Sequence, residues 1–272
     1  MRDFPLGILA HFRVMGIAAI WSFASVAYAD PASLNLVTTV DEMERCVAQH
    51  SSEIAANAKN ARAHVKRGEC YFRLREQEKA IADFTRAIAL DDSLDDAYFG
   101  RGMARAHEGD IDGGIDDLSV YIKRNPKSSL AYTKRGVRNI WRGAQDEAAH
   151  DLRKAIELDP KNAEAHDDLG TVLAQRGDLV TATEHFQTTI RLDPTYHKAY
   201  HNLALVMYLQ GQYGQALESV NHSLRLVPQN RGSIMLKAEI LEAVGQSKQA
   251  DALREQAEFM PQGNWTEQSQ LQ

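Results

Sequence analysis

Ala163–Tyr196 reads AEAHDDLGTVLAQRGDLVTATEHFQTTIRLDPTY, and its punctuation predicts two short helices joined by a turn. The first runs over Ala163–Gln175 and the second over Leu179–Leu192. Gly177 ends the first, because a left-handed residue there costs glycine little. Asp178 caps the second by accepting hydrogen bonds from orphan backbone donors of its first turn. Pro194 stops that helix, since it lacks the N–H needed to continue. Leu169 and Leu173 form an apolar stripe on the first helix, and Ala182, Phe186 and Ile190 form one on the second. The two stripes bury each other, but one face of the pair stays uncovered.

The chain covers that face by repeating itself every 34 residues. Proline recurs at Pro126, Pro160, Pro194 and Pro228, and glycine at Gly109, Gly143, Gly177, Gly211 and Gly245. A second row is Gly68, Gly102, Gly136 and Gly170, continued by Ala204 and Ala238. A small-residue row runs Ala80, Gly114, Ala148, Ala182, Ala216 and Ala250, and a bulky row Phe84, Leu118, Leu152, Phe186 and Val220. Independent rows sharing one period are the signature of a stacked array rather than of a single core.

These rows resemble the tetratricopeptide repeat family. Its pattern has a bulky residue at position 4, Leu-Gly at 7 and 8, Tyr at 11, Ala at 20, Phe at 24, Ala at 27 and Pro at 32. In the unit from Ala163 these positions hold His166, Leu169, Gly170, Leu173, Ala182, Phe186, Thr189 and Pro194. The resemblance implies an all-α, right-handed solenoid of helix-turn-helix units at 61–94, 95–128, 129–162, 163–196, 197–230 and 231–264. Independently of the name, Gly170 and Ala182 let two helices approach while Leu169, Leu173 and Phe186 fill the seam. The first unit departs from the pattern, with Asp92 for its proline and Arg75 for its turn glycine. The last unit has Arg254 at the Phe position and reads as a degenerate end cap.

Residues 1–29 stand apart from the repeats. Arg2 and Arg13 precede the apolar run Val14–Val26, and Ala27-Tyr28-Ala29 is a small-residue cleavage signature. This predicts a signal peptide, with an uncleaved anchor as the alternative, and places the protein in the periplasm. The run is too short for the ~20 residues of a spanning helix. Residues 30–60 read as a linker and an N-terminal capping helix over Asp41–Asn57, and 265–272 as a disordered tail. Resemblance to compact AYxxRG-type repeats, here AYFGRG and AYTKRG, implies a bacterial protein of the cell envelope. Export raises the question of Cys46 and Cys70, the two cysteines of the chain. They lie on helices expected to be neighbours, so a bridge adding about 3 kcal/mol and two separate buried thiols are both open.

The 272 residues carry a formal net charge of −6. That balance argues against non-specific nucleic-acid binding, which needs a basic footprint. A phosphate-cradling glycine loop, a G-x-S-x-G elbow and H-E-x-x-H are all absent from the sequence, so no enzymatic activity and no cofactor are expected. Asp110-Ile111-Asp112-Gly113-Gly114 has a faint likeness to a calcium loop but lacks its bidentate glutamate, and the repeat frame explains it better. His197 and His201 share a helix face, with Asp167 one unit earlier. They form the competing expectation, a metal or enzymatic site, against the reading of polar surface histidines. A third expectation is self-association through the open end of the array.

Two patterns remain. Arg67, Arg101 and Arg135 occupy position 7 where the family has leucine, and Asp83, Asp117 and Asp151 occupy position 23 of the same units. Units four and five lack both, which predicts an Arg–Asp bond between the two helices of units one to three. The other pattern follows from the resemblance. In such arrays the first helices line a concave groove through positions 2, 5, 9, 12 and 13. Carried over, these positions give Val65 and Phe72, then Phe99 and Met103, then Val137, Ile140 and Trp141, and finally His201, Leu205, Tyr208 and Leu209. Unit four is polar there, with Asp167, Thr171 and Gln175. The Lys and Asn clamp that some members close on a C-terminal carboxylate is absent, since Val65, Glu69, Phe99 and Met103 stand at its positions. The resemblance therefore implies a non-catalytic scaffold that binds an apolar helix or extended segment of a partner protein.

Overall fold

The computed structural model describes residues 40–260. The expected signal peptide at 1–29 and tail at 265–272 lie outside them. Among the described residues every regular element is an α-helix. Helix α1 (Val40–Ala56) precedes six hairpins: α2 (Ala61–Arg73) with α3 (Gln77–Leu90), α4 (Asp95–Glu108) with α5 (Ile111–Arg124), α6 (Ser129–Arg142) with α7 (Gln145–Leu158), α8 (Ala163–Gln175) with α9 (Leu179–Leu192), α10 (His197–Leu209) with α11 (Tyr213–Leu226), and α12 (Arg231–Ala243) with α13 (Ser247–Glu258). None is long and apolar enough to cross a membrane.

The hairpins form where their turn chemistry permits. Gly109, Gly143, Gly177, Gly211 and Gly245 all take positive φ, between 75° and 101°. Arg75, at the equivalent position of the first unit, is forced to φ 61° despite its Cβ. Asn60, Asp110, Ser128, Asn162, Asp178 and Asn230 each accept a backbone hydrogen bond at the start of a helix. Inside the α8–α9 seam, a Cβ on Gly170 would stand 2.8 Å from the Phe186 ring, so the close approach requires glycine.

Every substantial helix contact joins elements one or two apart in chain order. The contacts between elements two apart all join first helices, α2 to α4, α4 to α6 and onward to α12. Second helices make no contact of that extent with one another. First helices therefore crowd the inner side of the array, and the second helices fan out on the other side.

The expected Arg–Asp forks form in units one to three. Arg67 donates through Nε and Nη2 to Asp83 at 2.7 and 2.8 Å, Arg101 to Asp117 at 2.8 and 2.7 Å, and Arg135 to Asp151 at 2.8 and 2.7 Å. A third arm reaches the preceding unit: Nη1 donates to Ser51, Thr85 and Ser119 at 3.1, 3.4 and 3.0 Å. Each fork thus ties two helices of its own unit to the second helix before it, and in the first unit to α1. In unit four, His166 and His185 meet instead, Nδ1 to Nδ1 at 3.0 Å. Burial, with the charge of His166 added, pushes His185 down to about 4.

Helix α1 has no buried residue. It is held by the Ser51 bond and by a disulfide joining Cys46 to Cys70 on α2, with Cα atoms 6.2 Å apart.

Candidate functional site

The inner side carries a ladder of rings at positions 12 and 13 of successive first helices. Phe72 on α2 meets His107 on α4 at 5.6 Å, and His107 meets Trp141 on α6 edge-on at 5.7 Å. The ladder runs across three units because each first helix carries a ring in its last turn, at position 12 in the first unit and position 13 in the next two. Arg138, one turn before Trp141, stacks over its ring at 4.6 Å and donates to the Met103 sulfur at 3.2 Å. This guanidinium is only 1% exposed and its Nε has no hydrogen-bond partner among the described residues. Burial pushes its pKa down to about 10. Burial also pushes His107 down to about 4, aided by the charge of Arg138, so the ring in the ladder is neutral at physiological pH.

Beyond Trp141 the inner side becomes polar. Lys134 on α6 donates to both oxygens of Glu164 on α8 at 2.7 and 2.8 Å. Asp167, one turn on, accepts from Asn202 of α10 at 3.2 Å. Burial raises its carboxyl to about 7 in spite of Lys198 and Asn202. Asp168 is raised well above the carboxylate range, first by burial and then by Glu164 and Asp167. Its Oδ2 has no hydrogen-bond partner among the described residues.

The structure divides the expected groove residues. Phe72, Ile140, Trp141 and Tyr208 are half-buried, and Leu209 is 39% exposed, so these present surface. Val65, Met103, Val137 and Leu205 are buried, at 5, 4, 8 and 2% exposure, and leave little surface for a partner. Val65 belongs to the cluster of Ala80, Phe84, Ala97 and Ala104, and Met103 lies against Arg138. These residues are consumed where adjoining helices close over them, as α3 and α4 do over Val65 and α6 does over Met103. Phe99 turns toward Tyr121 of its own hairpin at 5.1 Å rather than joining the ladder.

The expected trio of His197, His201 and Asp167 does not form a ligand set. Asp167 engages Asn202, while His201 Nδ1 lies 3.1 Å from Ser233 Oγ of the next unit. Among the described residues the one group of three donors with metal-binding spacing is Cys46, His50 and Cys70.

Comparison with known proteins places this geometry. Sequence profiles described as tetratricopeptide repeat match residues 61–94, 78–129 and 185–218, and one described as TPR repeat matches 142–177. No curated protein matches the chain at a significant level. Among solved structures the chain is similar to YrrB, a TPR protein with an unusual peptide-binding site, at 21% identity over 69% of this chain and 97% of that one, with a TM-score of 0.55. It is similar to PilF of Pseudomonas aeruginosa at 19% identity, covering 72% of this chain and 89% of that one, with a TM-score of 0.65. PilW, a type IV pilus biogenesis factor, matches at 19% identity over 72% of this chain and 91% of that one, with a TM-score of 0.67. The repeat profiles from 61 to 218 and the serial hairpins agree, and the chain belongs to the tetratricopeptide repeat family.

Proposed function

We propose that this protein is a non-catalytic interaction scaffold of the bacterial cell envelope, holding a peptide or partner protein along the inner side of its array. The observation that carries this is the ring ladder Phe72–His107–Trp141 with Arg138 stacked beneath it. Aromatic side chains lined up on one face supply rigid, partly apolar contact area at low entropic cost, and the buried Arg138 supports the Trp141 ring from below. Tyr208 and Leu209 extend the apolar surface beyond the polar middle. An extended or helical segment with apolar side chains suits both ends. YrrB, a relative in fold, is itself described as having a peptide-binding site. The periplasmic assignment rests on the apolar run Val14–Val26 followed by Ala27-Tyr28-Ala29.

Co-purification from the native envelope tests the proposal. A protein recovered with the wild type and lost with Trp141→Ala and with Tyr208→Ala, at unchanged helical circular dichroism, is the expected result. The recovered chain is expected to begin at Asp30 and to lie in the periplasmic fraction. Equal recovery of every bound protein with both variants refutes the groove.

A further inference from the structure

Cys46 and His50 stand one helical turn apart on α1, and Cys70 faces them from α2. One donor atom from each lies within 4.8 Å of the other two. Cys70 is buried, while Cys46 and His50 are half-buried, so the trio sits at the edge of the α1–α2 seam with access to solvent. His50 Nδ1 lies 3.0 Å from Glu53 Oε2. A carboxylate on one imidazole nitrogen fixes the ring and raises the basicity of the other, the arrangement that metal-bound histidines use. Two sulfurs and one imidazole are soft and borderline donors. They exclude calcium and magnesium, which take oxygen, and favour thiophilic d10 ions.

We propose that, once the disulfide is reduced, Cys46, Cys70 and His50 form a binding site for a d10 cation, Zn²⁺ or Cu⁺. Oxidation and metal binding are then alternative states of one crosslink. The oxidised state forms when a disulfide oxidant exchanges with the two thiols, takes their two electrons and two protons and leaves as its own dithiol. A dithiol reductant returns them by thiol–disulfide exchange and leaves as its own disulfide. Binding of the cation displaces the thiol protons to water. Tetrahedral zinc with Zn–S near 2.3 Å holds its sulfurs about 3.8 Å apart, a span that Cα atoms 6.2 Å apart accommodate. Zn²⁺ would keep one open position for water, and Cu⁺ is satisfied by three donors. The site matters to the fold because α1 buries no residue, so a crosslink adds to the Ser51 bond in holding it on α2.

The test uses the full chain, reduced with dithiothreitol and desalted under nitrogen. Zn²⁺ is titrated against a chromophoric chelator and Cu⁺ against a Cu⁺-selective one, and Co²⁺ absorption counts thiolates. One Zn²⁺ or one Cu⁺ per reduced chain, none per oxidised chain, and two thiolates per Co²⁺ are expected; the tighter arm identifies the ion. His50→Ala still forms the disulfide in air but weakens metal binding by about tenfold or more, since even an outer partner of a ligand is worth about 10–100-fold. Neither ion binding more tightly to the reduced wild type than to Cys70→Ser overturns the proposal. So does unchanged affinity in His50→Ala, or a single thiolate per Co²⁺, which would mean a Cys46–His50 adduct on a detached α1.

Discussion

Asp151→Ala asks how much the forks contribute. The Asp151 side chain is 3% exposed and Arg135 is 22% exposed. Removing the carboxylate strips two charge-assisted bonds from Arg135 and the bond from the buried Asn139 amide at 3.3 Å. Breaking a buried pair costs about 3–5 kcal/mol because the surviving charge is stranded. Arg135 retains Ser119 and some water, which places the expected loss at the lower end, about 3 kcal/mol. For an array of this size that is a fall in Tm of about 6–12 °C. Replacing both partners by Arg135→Met and Asp151→Leu removes the stranded charge, and the double variant is expected within about 1 kcal/mol of wild type. Urea unfolding followed by circular dichroism measures both, with hydrogen exchange of α6 and α7 reporting local opening, since stacked repeats can open piecewise. A single variant costing under about 1 kcal/mol, or a double variant as costly as the single, refutes the stranded-charge reasoning.

The left-handed Arg75 invites its own repair. An L-residue there costs about 1–2 kcal/mol and glycine returns about 0.5–1 kcal/mol of chain entropy, so Arg75→Gly should stabilise by up to about 1 kcal/mol in the same assay. Gly177→Ala, where a Cβ would touch nothing within 4 Å, should cost a similar amount through backbone strain alone. A pH series isolates His107. Its folded pKa of about 4 lies below the ordinary 6.5, so the unfolded chain binds the proton first and stability falls as pH drops through that window. Asp167, raised to about 7, works in the opposite direction, so wild type is compared with His107→Phe at pH 7 and pH 4. The variant is expected to lose less stability than wild type, and equal losses would mean that the ring titrates normally.

Much of this architecture is legible in the chain because its determinants are local. Helix ends follow from Gly177, Asp178 and Asn162, which act on the nearest turn of backbone. The forks were visible as Arg at position 7 matched unit by unit with Asp at position 23. Their third arm has a sequence signal too. Ser51, Thr85 and Ser119 hold position 25 before each fork, whereas Arg153 holds it before Leu169. Arg138 could not be anticipated, since a charged residue on a first helix reads as solvated until the helix beside it supplies Met103 and closes it in beneath Trp141 of its own helix.

The sequence by itself determined the period, the hairpins and the pairing within units, because each depends on residues within about one repeat of each other. Only the tertiary structure decided which inner positions remain for a partner. Val65 and Met103 vanish into the stack while Trp141 does not. That difference is set by how closely neighbouring first helices approach, a distance no single repeat encodes.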